Sequence, residues 1–282
     1  MNMQSFEKPI LVLGATGKTG RRVAERLTAR GLPVRLGSRN ATPAFDWNDR
    51  STWAGALDGV RAVYISYYPD LAVPGAKDAV EALAKLAVEM SIKRLVLLSG
   101  RGEEEAQATE EALKALGAEL TIVRASWFNQ NFSEGAFLDY ILAGEVALPV
   151  GDVREPFIDA DDIADVVVAA LTGDWHIGQL YEVTGPRLLT FAEAVGEIAA
   201  AAGREVRYMR ITPEEFRAGI GEAGLAPDLV WLLDELFTRV LDGRNEYLTD
   251  GVERALGRPP RSFTDYAWEE ASRGTWNAAQ AA

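Results

Sequence analysis

Residues 9–30 read PILVLGATGKTGRRVAERLTAR, and this stretch decides the fold. A short apolar run comes first, three glycines (Gly14, Gly17 and Gly20) follow it, and an amphipathic segment comes last. This order predicts a buried strand, a tight turn and a helix. Glycine allows the chain to turn sharply at Gly14, a diphosphate to approach at Gly17, and the helix to pack closely at Gly20.

The amino terminus of such a helix is a favourable place for phosphate, because its N–H groups and its dipole attract negative charge. The motif therefore predicts a dinucleotide site, and the alternative is a tight turn with no ligand. The predicted contacts from this loop are Gly14, Thr16, Gly17, Lys18, Thr19 and Gly20.

The residues that end the second predicted strand indicate which dinucleotide is preferred. NAD-binding folds place an acidic residue about 20 positions beyond the glycines, whereas an arginine there accommodates a 2′-phosphate. Arg39 lies 19 residues after Gly20, Ser38 precedes it, and residues 37–40 contain no carboxylate. The pattern predicts NADP(H) rather than NAD(H), with Lys18 as a possible second cation. The alternative is that Arg39 is a solvated loop charge.

Short apolar runs alternate with helical segments along the chain, which is typical of parallel strands joined by crossover helices. Strands are expected near residues 9–13, 33–37, 44–47, 61–66, 92–98, 119–124 and 179–183. Helices are expected near 18–30, 50–58, 73–90, 104–116, 132–143, 190–202, 212–223, 227–241 and 261–272. The predicted fold class is α/β, a doubly wound parallel sheet of the Rossmann-like kind. Residues 1–150 are expected to form the dinucleotide-binding domain, and residues 151–282 to return to the core and form most of a smaller, interspersed substrate lobe.

Ligands of doubly wound sheets bind outside the carboxyl ends of the strands, so residues there are candidate contacts. The further cofactor candidates are Asp46, Trp47, Ser66, Tyr67, Ser99, Gly100 and Trp127, and the substrate-pocket candidates are Tyr68, Phe128 and Phe132. Their aromatic rings predict a flat, apolar small-molecule substrate. Core packing is the alternative for each ring.

Composition excludes several functions. The 42 acidic and 29 basic residues give a formal net charge of −13, which disfavours nucleic-acid binding. No apolar run is long enough to span a membrane and Met1–Glu7 lacks the pattern of a signal peptide, so a cytoplasmic location is expected. The chain has no cysteine and one histidine, His176, so no metal site is expected. We expect His176 to lie in a surface loop.

Several further motifs together resemble the NmrA-like atypical short-chain dehydrogenase/reductases. They are the glycine loop, the strand at 93–99, Thr109–Glu110, the segments 121–124 and 127–131, and the helix start at 159–164. Within that group, type 2 quinone oxidoreductases and the festuclavine and agroclavine reductases of ergot alkaloid pathways are the most similar. The resemblance implies an NAD(P)H-dependent oxidoreductase.

The chain departs from the wider superfamily at its catalytic motif. No Tyr-x-x-x-Lys sequence occurs, and Ala106 stands where many NmrA-like proteins carry a histidine. Ketone reduction benefits from a positioned acid, whereas a quinone or an iminium ion accepts hydride without one. The sequence thus favours an activated acceptor; it assigns no catalytic residue, and Tyr67 and Tyr68 are the candidates for a proton donor.

A second function stays open at this stage. Some NmrA members bind a dinucleotide without turnover and act as redox sensors through a protein partner. The same pocket walls would suit either function.

Overall fold

The computed structural model describes residues 8–135 and 137–277, which form two compact units. Unit 1 contains the described residues up to Ala125, together with Ala160–Val183 and Asp250–Arg258. Unit 2 contains the described residues of 126–159, 184–249 and 259–277. The chain passes from unit 1 to unit 2 after Ala125 and returns to unit 1 twice. The division into two domains at residue 150 stays a prediction. Residues 1–7, where we looked for a signal peptide, lie outside the described part.

The helices and strands have the following bounds in chain order. The strands are β1 (Ile10–Leu13), β2 (Val34–Gly37), β3 (Ala62–Ile65), β4 (Arg94–Gly100), β5 (Glu119–Ala125), β6 (Glu145–Leu148), β7 (Arg154–Glu155), β8 (Leu180–Val183), β9 (Leu189–Thr190) and β10 (Arg207–Arg210). The helices are α1 (Lys18–Ala29), α2 (Trp53–Leu57), α3 (Ala76–Glu89), α4 (Glu104–Lys114), α5 (Phe137–Ala143), α6 (Ala160–Thr172), α7 (Phe191–Ala202), α8 (Pro213–Glu222), α9 (Pro227–Glu235), α10 (Gly251–Leu256) and α11 (Phe263–Ser272).

Unit 1 is built on a six-stranded parallel sheet with the strand order β2-β1-β3-β4-β5-β8. Strands β1 and β3 are buried along their whole length, as expected for parallel strands covered by helices on both faces. Helix α3 turns one stripe, which includes Val80, Leu83 and Ala84, into the same core. The predicted doubly wound α/β fold is confirmed.

The register of the sheet brings the ends of its strands to one edge. Leu13 of β1 pairs with Gly37 of β2, and Ser99 of β4 pairs with Arg124 of β5. Because the strands are parallel, the residues that follow them all emerge at this carboxyl edge.

Helix α6 packs on α1 and is tied to it by ion pairs. Arg26 contacts Asp161 at 2.5 Å and Asp165 at 2.7 Å. Arg258, which follows α10, contacts Asp162 at 2.8 Å and Asp165 at 2.5 Å. Two acidic residues of this set lie in the 159–164 segment that we expected to begin a helix, and α6 does begin there.

Unit 2 has an aromatic core and two small sheets. Strands β6 and β10 are parallel, and β7 and β9 are antiparallel. The rings that meet in its core are Phe132, Phe137, Phe157, Phe191, Phe237 and Phe263. Helix α7 begins at a capping box, in which the Thr190 hydroxyl and the Glu193 carboxylate each accept from the other's backbone N–H.

Three expectations about the elements need correction. Residues 44–47 form no strand: β2 is the edge of the sheet, and the Phe45 N–H instead donates to the Ser38 carbonyl at 2.9 Å. Helix α5 begins at Phe137 rather than near residue 132, and the predicted span also crosses residue 136, which lies outside the described part. The strands β6, β7, β9 and β10 were missed, because two to four residues are too few to show a periodic pattern.

Candidate cofactor-binding and active site

The glycine turn after β1 folds back on itself. Gly14 has a φ of +62°, a conformation that side-chain-bearing residues rarely adopt. The Gly17 N–H donates to the Gly14 carbonyl oxygen at 2.9 Å. A Cβ atom on Gly20 would lie only 2.1 Å from the same oxygen, so helix and turn touch there. A Cβ atom on Gly14 would lie 3.4 Å from Ser66, at the end of β3.

The surface above Gly17 is open. Thr16 and Gly17 are exposed, and a Cβ atom on Gly17 would meet only the Gly14 oxygen, at 3.3 Å. Gly17 also precedes the first turn of α1 and has no side chain with which to cap it. A diphosphate fits such an exposed, uncapped helix amino terminus, where backbone N–H groups are the natural donors.

The neighbouring loop residues point in different directions. The Thr19 side chain is buried, and its hydroxyl accepts a hydrogen bond from the Tyr64 hydroxyl at 2.9 Å. Burial raises the pKa of Tyr64, so this hydroxyl keeps its proton. Lys18 is partly buried, and its carbonyl accepts from the Arg22 guanidinium at 2.8 Å. The buried Thr19–Tyr64 pair thus anchors the loop to β3.

The end of β2 leaves Arg39 exposed. Its guanidinium makes no side-chain hydrogen bond or ion pair with any residue in 8–135 or 137–277. Ser38 beside it is partly buried, and its carbonyl accepts from Phe45 and from Ala41. The loop is therefore fixed by its backbone, and the Arg39 side chain is available to an anion.

Trp47 and Tyr67, which belong to different loops, contact each other with ring centroids 4.8 Å apart. Trp47 also packs edge-on against Phe45 at 5.0 Å. The Asp46 carboxylate accepts from the Asn48 N–H at 3.0 Å, so part of its hydrogen-bonding capacity is used locally. Tyr68 is 77% exposed. Two of the predicted aromatic residues are thus brought together within unit 1, and Tyr68 faces solvent.

A buried ionic network lies beneath the end of β4, and sequence reasoning missed it. The Ser99 hydroxyl donates to Glu110 at 2.6 Å, and Arg124 donates to the same carboxylate at 2.9 and 2.5 Å. Glu182 of β8 contacts Arg124 at 3.4 Å and Arg101 at 2.8 Å. These hydrogen bonds to Glu110 and the neighbouring carboxylates raise the pKa of Arg124 against the opposing effect of burial. The signal in the sequence is a charged residue inside an otherwise apolar strand, Thr121-Ile-Val-Arg124.

Gly100 and Glu103 lie against each other in the turn after β4. A Cβ atom on Gly100 would lie 2.1 Å from Oε2 of Glu103, so only glycine leaves room for this carboxyl group. Glu103 is buried and in hydrogen-bonding contact with Asp70, which follows β3. Burial, with a further contribution from Asp70, raises the pKa of Glu103 well above its ordinary value.

The other candidate residues belong to unit 2. Trp127 packs against Phe191 and Phe237, with ring centroids 5.4 and 5.0 Å away. Phe128 is partly buried and pairs with Ile158 through the backbone. Phe132 has no exposed surface, which favours the core-packing interpretation for this ring.

His176 is not in a surface loop, and that expectation is wrong. It is 2% exposed, and its Nδ1 lies 2.8 Å from the Tyr181 hydroxyl of β8. Burial lowers the pKa of His176. Within residues 8–135 and 137–277, no group of three or more His, Cys, Asp or Glu residues is arranged to hold a metal ion. No helix in this part of the chain is long and apolar enough to cross a membrane.

Comparisons with known proteins agree with this geometry. A family model described as NAD(P)H-binding matches residues 14–174. The NAD(P)H azoreductase of Xenophilus azovorans is 32% identical over 92% of this chain and 96% of its own length. The agroclavine dehydrogenase of Claviceps fusiformis is 30% identical over 91% of this chain and 95% of its own.

The structure is also similar to that of the NADPH-dependent quinone oxidoreductase QOR2 of Escherichia coli in complex with NADPH. The TM-score is 0.74 at 20% identity, over 92% of this chain and 99% of that one. The predicted resemblance to quinone oxidoreductases and ergot alkaloid reductases is confirmed, and the fold is NmrA-like. The chain belongs to the NAD(P)H-binding family of oxidoreductases.

Proposed function

We propose that the protein is an NADPH-dependent reductase that transfers hydride to an activated small-molecule acceptor, such as a quinone or an iminium ion. The observation that carries this proposal is the open cradle at Gly17, in a chain with no Tyr-x-x-x-Lys sequence.

We assign different groups of residues to the different parts of the cofactor. The turn from Gly14 to Gly20 would hold the diphosphate, and Arg39 with Ser38 the 2′-phosphate. Asp46 and Trp47 would lie at the adenine, and Ser66, Tyr67, Ser99 and Gly100 at the ribose and nicotinamide. Trp127 of unit 2 stays a separate candidate for a cofactor contact. NADPH, when bound, supplies the hydride. The chain's own contribution is to orient the reactants and to exclude water.

The groups near the end of β4 support this class of acceptor. The Ser99 hydroxyl donates to Glu110 and α4 contains no tyrosine, so the usual proton donor of the superfamily is missing. A positioned acid accelerates proton transfer by about 10²–10⁴-fold, which an unactivated ketone needs. A quinone is reduced to a phenolate whose pKa is about 10, so water can protonate it. An iminium ion is neutralised by hydride itself.

The names of the relatives support the same class. An azo group and a quinone are conjugated, and two of these relatives are named for such compounds. In unit 1 we assign Tyr68 to the acceptor. Phe128 and Phe132 of unit 2 stay separate candidates for acceptor contacts, and Phe132 is fully buried. Flat acceptors can stack on such rings.

The test is a panel of acceptors followed by the loss of nicotinamide absorbance. Purified protein with NADPH is expected to reduce a simple quinone and a cyclic iminium ion faster than an unactivated ketone. Equal rates with the ketone would contradict the proposal, since they would require a proton donor. Tight NADPH binding without turnover of any acceptor would favour the redox-sensor function instead.

A further inference from the structure

Two loops at the carboxyl edge of the unit 1 sheet meet through a pair of carboxyl groups. Asp70 belongs to the loop that follows β3, and Glu103 ends the turn that follows β4. The two side chains are in hydrogen-bonding contact. Glu103 precedes α4 but makes no capping hydrogen bond to it, because its side chain turns back towards Gly100. The contact between Asp70 and Glu103 therefore connects the two loops, and the Glu103 side chain does not cap α4.

Asp70 and Glu103 differ in their hydrogen-bond donors, and this difference indicates which of the two carboxyl groups carries a proton. Burial raises the pKa of Asp70 as well, but Asp70 accepts from the Ala72 N–H at 2.9 Å and from the Leu71 N–H, and both bonds favour its ionised form. Oε2 of Glu103 is buried, and no donor of the described residues reaches it. Two ionised carboxylates in contact would repel each other, and neither could donate a hydrogen bond to the other. A single proton on the pair removes the repulsion and supplies the hydrogen bond. We place it on Glu103, which then donates to Asp70.

The charges around the pair favour the same state. Glu110 of α4 acts on Glu103 as a second negative charge. The nearest cation on β5, Arg124, is bound to Glu110 and Glu182, and Arg101 of the turn is bound to Glu182. Burial, Asp70 and Glu110 all raise the pKa of Glu103. Burial and both neighbouring carboxyl groups therefore favour a neutral Glu103 side chain.

We propose that Glu103 is a positioning residue, a neutral acid that holds Asp70 and, with it, the Tyr67–Tyr68 segment against the turn after β4. This proposal rests on the proposed function, because Tyr67 and Tyr68 are the residues that we assign to the nicotinamide and the acceptor. It also explains why residue 100 is a glycine, since any side chain at that position would displace the Glu103 carboxyl group.

The first experiment needs neither cofactor nor acceptor. Protein labelled with ¹³C at the glutamate carboxyl carbons is titrated by NMR between pH 5 and pH 9, together with Glu103→Gln and the matched control Glu104→Gln, whose side chain is exposed. One glutamate signal is expected to keep the chemical shift of a protonated acid at pH 7. It should vanish in Glu103→Gln and persist in Glu104→Gln. Only ionised glutamate signals at pH 7 would overturn the proposal.

The second experiment asks whether the proton positions the loop. Amide exchange at Leu71 and Ala72 is compared in wild type, Glu103→Gln and Glu103→Ala. We expect Glu103→Ala to speed exchange by about tenfold, as for one lost hydrogen bond, and Glu103→Gln to restore protection, because its amide can still donate to Asp70. Equal exchange in wild type and Glu103→Ala would show that the loop does not depend on this contact.

A third measurement links the pair to the cofactor and separates two kinds of failure. The NADPH dissociation constant of wild type is expected to rise above neutral pH, whereas that of Glu103→Gln stays flat. The same pH dependence in both proteins would overturn the positioning role. If the wild-type protein binds no dinucleotide at any pH, the proposed function fails. The NMR and exchange results still show whether Glu103 is protonated and whether it holds the loop.

Discussion

Gly20 lies so close to Gly14 that a Cβ atom on Gly20 would be 2.1 Å from the Gly14 carbonyl oxygen, whereas a Cβ atom on Gly17 would lie 3.3 Å from the same oxygen and meet no other atom within 4 Å. The two positions can therefore be separated experimentally, although both belong to one motif. Gly20 is required by the fold, and Gly17 is the position that we assign to the ligand.

We predict that Gly17→Val abolishes measurable NADPH binding and leaves the fold intact. The valine side chain would occupy the space into which a diphosphate must come, but it meets few atoms of the protein itself. Fluorescence titration gives the affinity, and circular dichroism gives the fold. The matched control is Gly20→Val, which should unfold or strongly destabilise unit 1. Unchanged NADPH affinity in Gly17→Val would remove this loop from the cofactor site.

For Arg39→Asp, we predict weaker NADPH binding by about 1.5–3 kcal/mol, the range for a hydrogen bond to a charged group. The Arg39 side chain is exposed and makes no ion pair within residues 8–135 and 137–277, so its replacement should not affect the fold. NADH is the internal control, since it lacks the 2′-phosphate. Its affinity should hold or increase in the variant. Equal affinity of the wild-type protein for NADH and NADPH would contradict the assignment.

The buried network under Ser99 predicts a large effect on stability. Glu110 has a fully buried side chain, and Arg124→Ala would leave its charge without a cation. Loss of one partner of a buried ion pair costs about 3–5 kcal/mol of unfolding free energy. Lys114→Ala, which breaks an exposed pair with Glu111, is the control and should cost less than about 1 kcal/mol. Similar losses in the two variants, measured by urea unfolding, would mean that Glu110 is neutral or solvated.

The pH dependence of stability follows from the raised pKa of Glu103. An unfolded glutamate loses its proton near its ordinary pKa of 4.5, but Glu103 in the folded protein keeps it to higher pH. Over that interval the folded state binds more protons, so the unfolding free energy falls as pH rises, by up to about 1.4 kcal/mol per pH unit.

This fall should be smaller in Glu103→Gln and unchanged in Glu104→Gln. Urea unfolding at pH 5.5, 7 and 8.5 measures it for all three proteins. A constant difference in unfolding free energy between wild type and Glu103→Gln over this range would mean that Glu103 is already ionised in the folded protein, and would contradict the prediction.

The sequence predicted the parallel sheet and the glycine turn because both depend on local patterns. A run such as Ile10–Leu13 is apolar throughout, and glycine readily adopts the positive φ that the turn after it requires at Gly14. The ends of β4 and β5 were placed correctly for the same reason. Arg39 was found by its spacing from the glycines, and the structure leaves it exposed.

The carboxyl pair was not predicted, because it depends on two loops that are far apart in sequence. Asp70 and Glu103 are separated by a helix and a strand, and each has the composition of an ordinary surface loop. Only the parallel order of β3 and β4 brings their loops together. His176 was misplaced for a related reason: its loop is rich in turn-forming residues, but it packs against β8.

The return of the chain to unit 1 has a consequence for synthesis on the ribosome. Strand β8 completes the sheet only after residue 183 has been made, and α10 joins it later still, with Gly251 packed so tightly on Glu182 that a Cβ atom there would lie 2.0 Å from the Glu182 carbonyl oxygen. Most of unit 2 is translated between these two segments. The glycine turn is therefore synthesised early, but its sheet is complete only when β8 has been made. A fragment ending at residue 150 would expose the unpaired edge of β5.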